Sequence, residues 1–339
     1  LKGDVLPIGG LREKLLAAAG VSREQGFEAI LLQGSGTFGV EAVLASVLPP
    51  QGKLLVLANG AYGERIAQMA AHLRIAATVL RSPENQLPDL ETLRRTLASD
   101  AALTHVAVVH CETTTGLLNP ITEIGQIVKQ SGRIHIVDAM SSFGAIPIDF
   151  AAAGIDFLVS SANKCLEGVP GFSFVIGRRA LLLAAEGHAR SLSLDLLGQL
   201  KGFEKNGQFR YTPPTHSILA FAEALREFEM EGGVAGRAAR YRANHAALVE
   251  GMKRLGFQVY LDPKVQSYII TSFYYPDDPK FTFAEFYRRL SDKGMLIYPG
   301  KISQVDCFRI GTIGRIFDSD IRQLLAAVRD TIDEMGIKL

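Results

Sequence analysis

The sequence is poor in several features that would have decided its class at once. No surplus of one charge exists: 36 Lys and Arg stand against 35 Asp and Glu, so no global field draws the chain to nucleic acid or an anionic membrane. No apolar run approaches the roughly 20 residues that span a bilayer, and no signal-peptide pattern is present. Three scattered cysteines, Cys111, Cys165 and Cys307, argue against a disulfide framework. The seven histidines show no zinc spacing, so no metal is expected. Internal repeats, low-complexity stretches and long linkers are also lacking. What remains is the expectation of a neutral, reduced, cytoplasmic globular protein of 339 residues, long enough for one large α/β domain and a smaller companion.

What the sequence does have is rhythm. Seven short apolar runs, at residues 29–33, 54–58, 76–80, 105–110, 134–138, 156–161 and 172–177, alternate with amphipathic segments such as Val40–Leu48, Glu64–Leu73, Leu90–Ala98 and Glu123–Gln130. Val/Ile/Leu-rich strands alternating with helices predict a mainly parallel, seven-stranded sheet covered on both faces. Two helical patterns follow over residues 217–255. FQVYLD, SYIITSFYY, a helix at FAEFYRRLSDKG, MLIYPG, CFRIGTIG and a last helix Ser319–Met335 then form a smaller α+β module. The expected division is a large domain over 1–234 and a small one over 235–339.

Ligands on such sheets bind beyond the carboxyl ends of the strands. Two of those ends carry chemistry: IHIVD leaves Asp138 at its tip, and DFLVSSANK leaves Lys164. A buried carboxylate and a buried lysine at neighbouring strand ends suit pyridoxal phosphate. The lysine forms the Schiff base, and the aspartate keeps the pyridine nitrogen protonated so that the ring acts as an electron sink. Alone, Asp138 reads as a turn or cap residue and Lys164 as a surface lysine. Their shared position, and the small, apolar and Gly/Pro residues around Lys164, raise the functional reading.

Other pieces join them. Gln33-Gly34-Ser35-Gly36-Thr37-Phe38-Gly39 opens directly into a helix, an arrangement that suits a phosphate. It also satisfies the dinucleotide fingerprint. That reading wants a carboxylate after the second strand, where Asn59-Gly60 stands instead. Tyr62, flanked by glycines, is placed to stack on a planar ring or to sit half-buried at a helix start. The threonines of HCETTTGLLNP are either ordinary turn residues or, at Thr113, a hydroxyl for a cofactor oxygen. Arg309, in the apolar strand CFRIG, needs an anionic partner, either an internal carboxylate or a substrate.

Together the stretches QGSGTFGVEAVL, HCETTTGLLNPI, VDAMSSFGAIPID, SSANKCLEGVPGFSFVI, YTPPTH and FRIGTIG resemble the fold-type I, class V aminotransferases, which include alanine–glyoxylate and serine–pyruvate transaminases. The resemblance runs from about Leu15 to the C-terminus. It implies that Lys164 carries the cofactor, that Asp138 pairs with its ring nitrogen, and that Ser35, Gly36 and Thr37 cradle its phosphate with Asn163. It puts Tyr62 and Met140 on opposite ring faces and Thr113 near the phenolic oxygen. Thr212 and Thr215 match residues that reach the neighbouring subunit's phosphate, which implies a homodimer with shared active sites. Arg309 matches the arginine that holds the substrate anion. The implied activity is exchange of an amine between 2-aminoethylphosphonate and pyruvate, in phosphonate degradation. Alanine or serine with glyoxylate or pyruvate is the alternative pair, and a cysteine desulfurase would need a mobile cysteine in place of the packed Cys165.

The first twenty residues depart from the family, whose leader with a Pro-Gly-Pro turn is expected to be absent or altered. They resemble the segment around the catalytic lysine of Lon-type proteases, with Lys14 at the matching place. No companion nucleophile-serine motif accompanies it, so no protease activity is expected.

Overall fold

A computed structural model describes residues 8–300, 302 and 305–339. The front of the Lon-like stretch, residues 1–7, lies outside the described residues. The chain begins with α1 (Ile8–Ala18), β1 (Phe27–Gln33), α2 (Gly36–Val47), β2 (Lys53–Ala58), α3 (Ala61–His72), β3 (Ala76–Arg81) and α4 (Leu90–Ser99). It continues through β4 (Leu103–Val109), a two-residue hairpin of β5 (Cys111–Glu112) and β6 (Leu117–Leu118), α5 (Ile121–Gln130), β7 (Ile134–Asp138), β8 (Phe157–Ser161) and β9 (Phe172–Arg178). Four helices follow: α6 (Arg179–Ala184), α7 (Leu196–Asn206), α8 (Thr215–Met230) and α9 (Gly233–Arg254). The last elements are β10 (Ile270–Tyr274), α10 (Phe283–Asp292), β11 (Tyr298–Pro299), β12 (Cys307–Gly311) and α11 (Asp318–Met335).

All seven predicted strands join one sheet, in the order β1-β9-β8-β7-β4-β2-β3. Central strands such as Leu54–Ala58 and Phe157–Ser161 are buried throughout, as strands covered on both faces must be. Four pairings are parallel, and β9 runs antiparallel to both neighbours, so β1 and β8 point the same way. Six strands therefore deliver their carboxyl ends to one edge of the sheet. That edge holds the turns that follow β1, β2, β4, β7 and β8.

Two cores divide the apolar residues. One packs the sheet against α1, α2, α5, α7 and α8, with Leu15, Val43, Val108, Val137, Phe174 and Phe221 all buried. The other gathers Leu248, Met252, Phe273, Phe286, Phe308 and Val328 around the sheet β10-β12-β11. Helix α9 links them: its early turns carry Tyr241, buried beside Cys111 and Cys165, and its later turns enter the second core. The segment FQVYLD, expected as part of the small module's β structure, contributes one isolated bridge, Val259 to Phe273.

Lys14 lies on α1 and makes a surface ion pair with Glu229 at 2.6 Å. Among the described residues, no helix is long and apolar enough to cross a membrane.

Candidate active site

At the carboxyl edge of the sheet, Thr37, Tyr62, Asp138, Met140 and Lys164 line one cavity, with Arg65, Cys111 and Ser141 among the other walls. Asp138 is the last residue of β7, and its chain direction is fixed on both sides. His110 N–H donates to the Asp138 carbonyl, and Ala139 N–H donates to Val159 on β8. The carboxylate is buried and accepts one hydrogen bond, from Met140 N–H at 2.9 Å. Among the described residues no lysine or arginine stands within ion-pair distance of it. Burial raises its carboxyl to about 6, with the Met140 N–H holding it down and nearby Glu112 pushing the same way as burial. A buried, unpaired acid next to a cavity suits a cationic ring nitrogen.

Lys164 differs from the expectation in place and burial. Strand β8 stops at Ser161, and Lys164 stands three residues further, half-buried in a turn closed by Glu167 N–H to the Lys164 carbonyl at 2.9 Å. The apolar pattern runs into the small residues Ser-Ser-Ala, which belong partly to the turn and not to the strand. Asn163 beside it is exposed and accepts a hydrogen bond from Ser161 Oγ at 2.9 Å.

The phosphate-suited turn opens α2 with Ser35 as an exposed N-cap whose side chain makes no capping bond, which leaves both its hydroxyl and the first helical N–H groups for a ligand. Gly36 is required here by close approach: a Cβ would come within 1.9 Å of Met140 Sδ. Met140 thus packs against the start of α2 as it lines the cavity.

Tyr62 owes its place to a residue that the sequence reading passed over. Glu112 is fully buried, and its carboxylate accepts from Tyr62 N–H and Gly63 N–H at 3.2 Å each, and from the Thr114 hydroxyl at 2.6 Å. It therefore caps α3 from outside the helix. Gly60 lets it in, since a Cβ there would meet Glu112 Cγ at 2.3 Å. Burial raises the Glu112 carboxyl, and the hydrogen bonds from Thr114, Gly63 and Tyr62 oppose that. The available signal was a carboxylate standing alone at the end of an apolar strand, hidden among three threonines. The Arg65 guanidinium lies 5.0 Å from the Tyr62 ring centre.

Arg309 joins the site through Thr113. Its Nη1 donates to the Thr113 carbonyl at 2.5 Å and its Nε to the Pro299 carbonyl at 3.0 Å. Arg309 is 5% exposed, yet among the described residues no carboxylate lies within ion-pair distance. Among the described residues, the internal salt bridge weighed from the sequence is not made. Two carbonyls aim the guanidinium, and Glu112 acts on its charge only from beyond ion-pair distance. Thr113 is itself buried, and its role here is its carbonyl.

Thr212 and Thr215 remain outside the cavity. Thr212 is exposed, Thr215 is half-buried at the start of α8, and Gln33 Nε2 ties the segment to β1 by donating to the Tyr211 and Thr212 carbonyls at 3.2 and 3.0 Å. Cys165 is fully buried with its Sγ directed at the Ser141 carbonyl at 3.2 Å, a packed thiol rather than a mobile one.

Known proteins share this arrangement. Residues 13–297 match the aminotransferase class-V family. A 2-aminoethylphosphonate–pyruvate transaminase of Salmonella typhimurium is 53% identical over 320 residues, 94% of this chain and 87% of the relative. One from Vibrio cholerae is 53% identical over 323 residues, 95% of this chain and 88% of the relative. The pyridoxamine–pyruvate aminotransferase of Mesorhizobium loti superposes with a TM-score of 0.89 at 24% identity, covering 99% of this chain and 87% of its own. The ureidoglycine–glyoxylate aminotransferase of Bacillus subtilis gives 0.88 at 23%, covering 98% and 86%, and both solved structures share the fold of this chain. With a family match over most of its length and relatives above 50% identity, the chain belongs to the class V aminotransferases.

Proposed function

We propose that the protein is a pyridoxal phosphate-dependent transaminase that moves the amine of 2-aminoethylphosphonate to pyruvate, giving phosphonoacetaldehyde and L-alanine. The observation that carries the reading is Arg309, a buried guanidinium aimed by two carbonyls and left without a carboxylate beside a cavity that holds Asp138 and Lys164. The names of the relatives at 53% identity supply the substrate pair.

The residues present fit the cofactor. Asp138 is a buried acid without a cation, Gly36 clears space at a helix start, and Tyr62 and Met140 line the cavity. When bound, pyridoxal phosphate supplies an electron-withdrawing ring that stabilises negative charge on the carbon bearing the amine. The N–H groups at the start of α2, with the Ser35 and Thr37 hydroxyls, would hold the phosphate, and Asn163 stands at the rim. Asp138 would pair with the ring nitrogen as a buried anion. Tyr62 and Met140, which both line the cavity, would pack against the ring, and Glu112 fixes Tyr62 by anchoring its helix.

Lys164 Nζ would anchor the cofactor. As a free amine it would take the proton from the substrate carbon as base and return it as acid. Arg309 holds the anionic end of either substrate, phosphonate or carboxylate, so one pocket serves both half-reactions. Thr212 and Thr215 serve the neighbouring copy's phosphate in a homodimer. Phe38 and Tyr211, 51% and 43% exposed, are large apolar groups on the same rim for that copy to cover. Three buried free thiols suit a reducing cytoplasm.

The test is the visible spectrum of the protein loaded with pyridoxal phosphate. The reading expects the band to bleach on addition of 2-aminoethylphosphonate and to return with pyruvate. A band unmoved by that amine but bleached by L-alanine or L-serine makes the protein an amino-acid transaminase. No band at all removes Lys164 from its assigned place.

A further inference from the structure

One set of buried charges has no part in the mechanism above. Arg237, Arg240 and Tyr241 lie on the early turns of α9, and Arg237 and Tyr241 are 1% and 0% exposed. Glu167, three residues past Lys164, faces them. Its Oε1 accepts from the Tyr241 hydroxyl at 2.7 Å and from Arg240 Nη2 at 2.8 Å, with Arg237 Nη1 at 3.6 Å. Arg237 Nη1 also donates to the Cys165 carbonyl at 2.5 Å. Glu231 balances the charge by accepting from Arg237 Nε at 2.7 Å and Arg240 Nε at 2.6 Å.

The same side chains grip a second segment. Arg240 Nη1 donates to the Gly314 and Ile316 carbonyls at 2.7 and 3.2 Å, and the Tyr241 hydroxyl accepts from Gly314 N–H at 2.9 Å. That segment continues β12, the strand that carries Arg309. Glu167 adds a sign of constraint: its φ is +58°, left-handed backbone that a non-glycine residue seldom adopts. Such a conformation persists where its surroundings over-determine it, and here three side chains, Arg237, Arg240 and Tyr241, hold Glu167.

We propose that this α9 cluster is a positioning device that fixes the Lys164 turn and the Arg309 strand relative to each other. It holds the first through Glu167 and the Cys165 carbonyl, and the Tyr241 hydroxyl and Arg240 each reach both. The inference rests on the proposed function, in which Lys164 Nζ must reach a carbon whose distant anionic end Arg309 holds. The separation of amine and guanidinium then sets the alignment of the proton transfer, and misplacement by about 1 Å costs on the order of 10²-fold.

The test compares Tyr241→Phe and Glu167→Gln with Asp156→Asn, which removes a buried carboxylate's ion pairs to two part-exposed cations elsewhere in the fold. Amide hydrogen exchange is read in the cofactor-free proteins over 165–168 and 312–316. The values of kcat and KM for 2-aminoethylphosphonate are read in the loaded ones. Tyr241→Phe is expected to speed exchange in both segments together and, with Glu167→Gln, to lower kcat about tenfold with KM within about twofold of wild type. Asp156→Asn is expected to lower the melting temperature while leaving both segments and kcat as in wild type. The proposal is overturned if exchange rises in one segment only, or if kcat is unchanged in both cluster variants. It is equally overturned if kcat falls only in step with melting temperature, as in the Asp156→Asn reference. Should wild type itself leave 2-aminoethylphosphonate untouched, the functional reading falls, and the exchange result still decides the coupling.

Discussion

Two buried aspartates flank the same pair of strands and are treated in opposite ways. Asp156, just before β8, is fully buried and fully served: Lys129 Nζ and Arg178 Nε lie 3.0 Å away, and His135 N–H donates at 2.9 Å. Asp138, at the far end of β7, has one N–H and, among the described residues, no cation within ion-pair distance, Arg65 acting on it only from further off. The arginines repeat the contrast. Arg237 is buried among two glutamates, and Arg309 is buried against carbonyls alone. A charge that serves the fold brings its counter-charge with it, because an unpaired buried charge is costly. A charge left bare beside a cavity marks where a ligand completes the pairing.

The contrast can be broken at several points. Lys164→Ala should have the largest effect, a loss of about 10⁴-fold in single-turnover amine transfer, since both the anchor and the proton carrier go. Activity within 100-fold of wild type by that assay removes the lysine from the mechanism. Asp138→Asn should lower kcat by about 10²–10³-fold, whereas Asp156→Asn should keep kcat and lose about 1–3 kcal/mol of stability in urea unfolding, since the two cations left behind are part-exposed. If both aspartates behave alike, the contrast has no functional meaning. Arg309→Lys should lower kcat/KM by about 10–100-fold for phosphonate and pyruvate alike, because lysine lacks the fork that grips two anion oxygens. A loss confined to one substrate would separate the two anion sites.

The smallest effect is one of pH. A carboxyl raised by folding, from 3.8 to about 6, binds its proton more tightly in the folded state. Its contribution favours folding below about pH 4 and fades as pH rises through 6, above which the buried charge is a constant cost. Asp138→Asn removes that cost. The cofactor-free variant should therefore come close to wild type near pH 4 and exceed it by about 3 kcal/mol at pH 8, read from unfolding curves at the two pH values.

The seven strands were legible because each is a run of Val, Ile and Leu bounded by turn residues. Direction was less so: β9 runs against both neighbours, and nothing in FSFVIG encodes that. Helix α1 was obscured because its residues were read for a motif, while Ile8, Leu11, Leu15 and Leu16 face the core at helical spacing. Asp138 was legible as the last residue of an unbroken apolar strand. Lys164 was legible by neighbourhood, though not by depth, because Ser161 and Ala162 hide where strand gives way to turn. Glu112 and Glu167 were not legible, since each acts on groups far away in sequence: the N–H groups of Tyr62 and Gly63 for one, the side chains of the α9 arginines for the other. Such pairings exist only once the fold has brought the segments together.

The central claim is that Asp138 is left bare for a cationic ligand at the fold's expense. The measurement that meets it most directly is the melting temperature of wild type and Asp138→Asn at pH 8, each with and without saturating pyridoxal phosphate. The account predicts a reversal of order: the variant melts higher without the cofactor, and wild type melts higher with it, because only the native carboxylate gains from the ring. The same order under both conditions would contradict it.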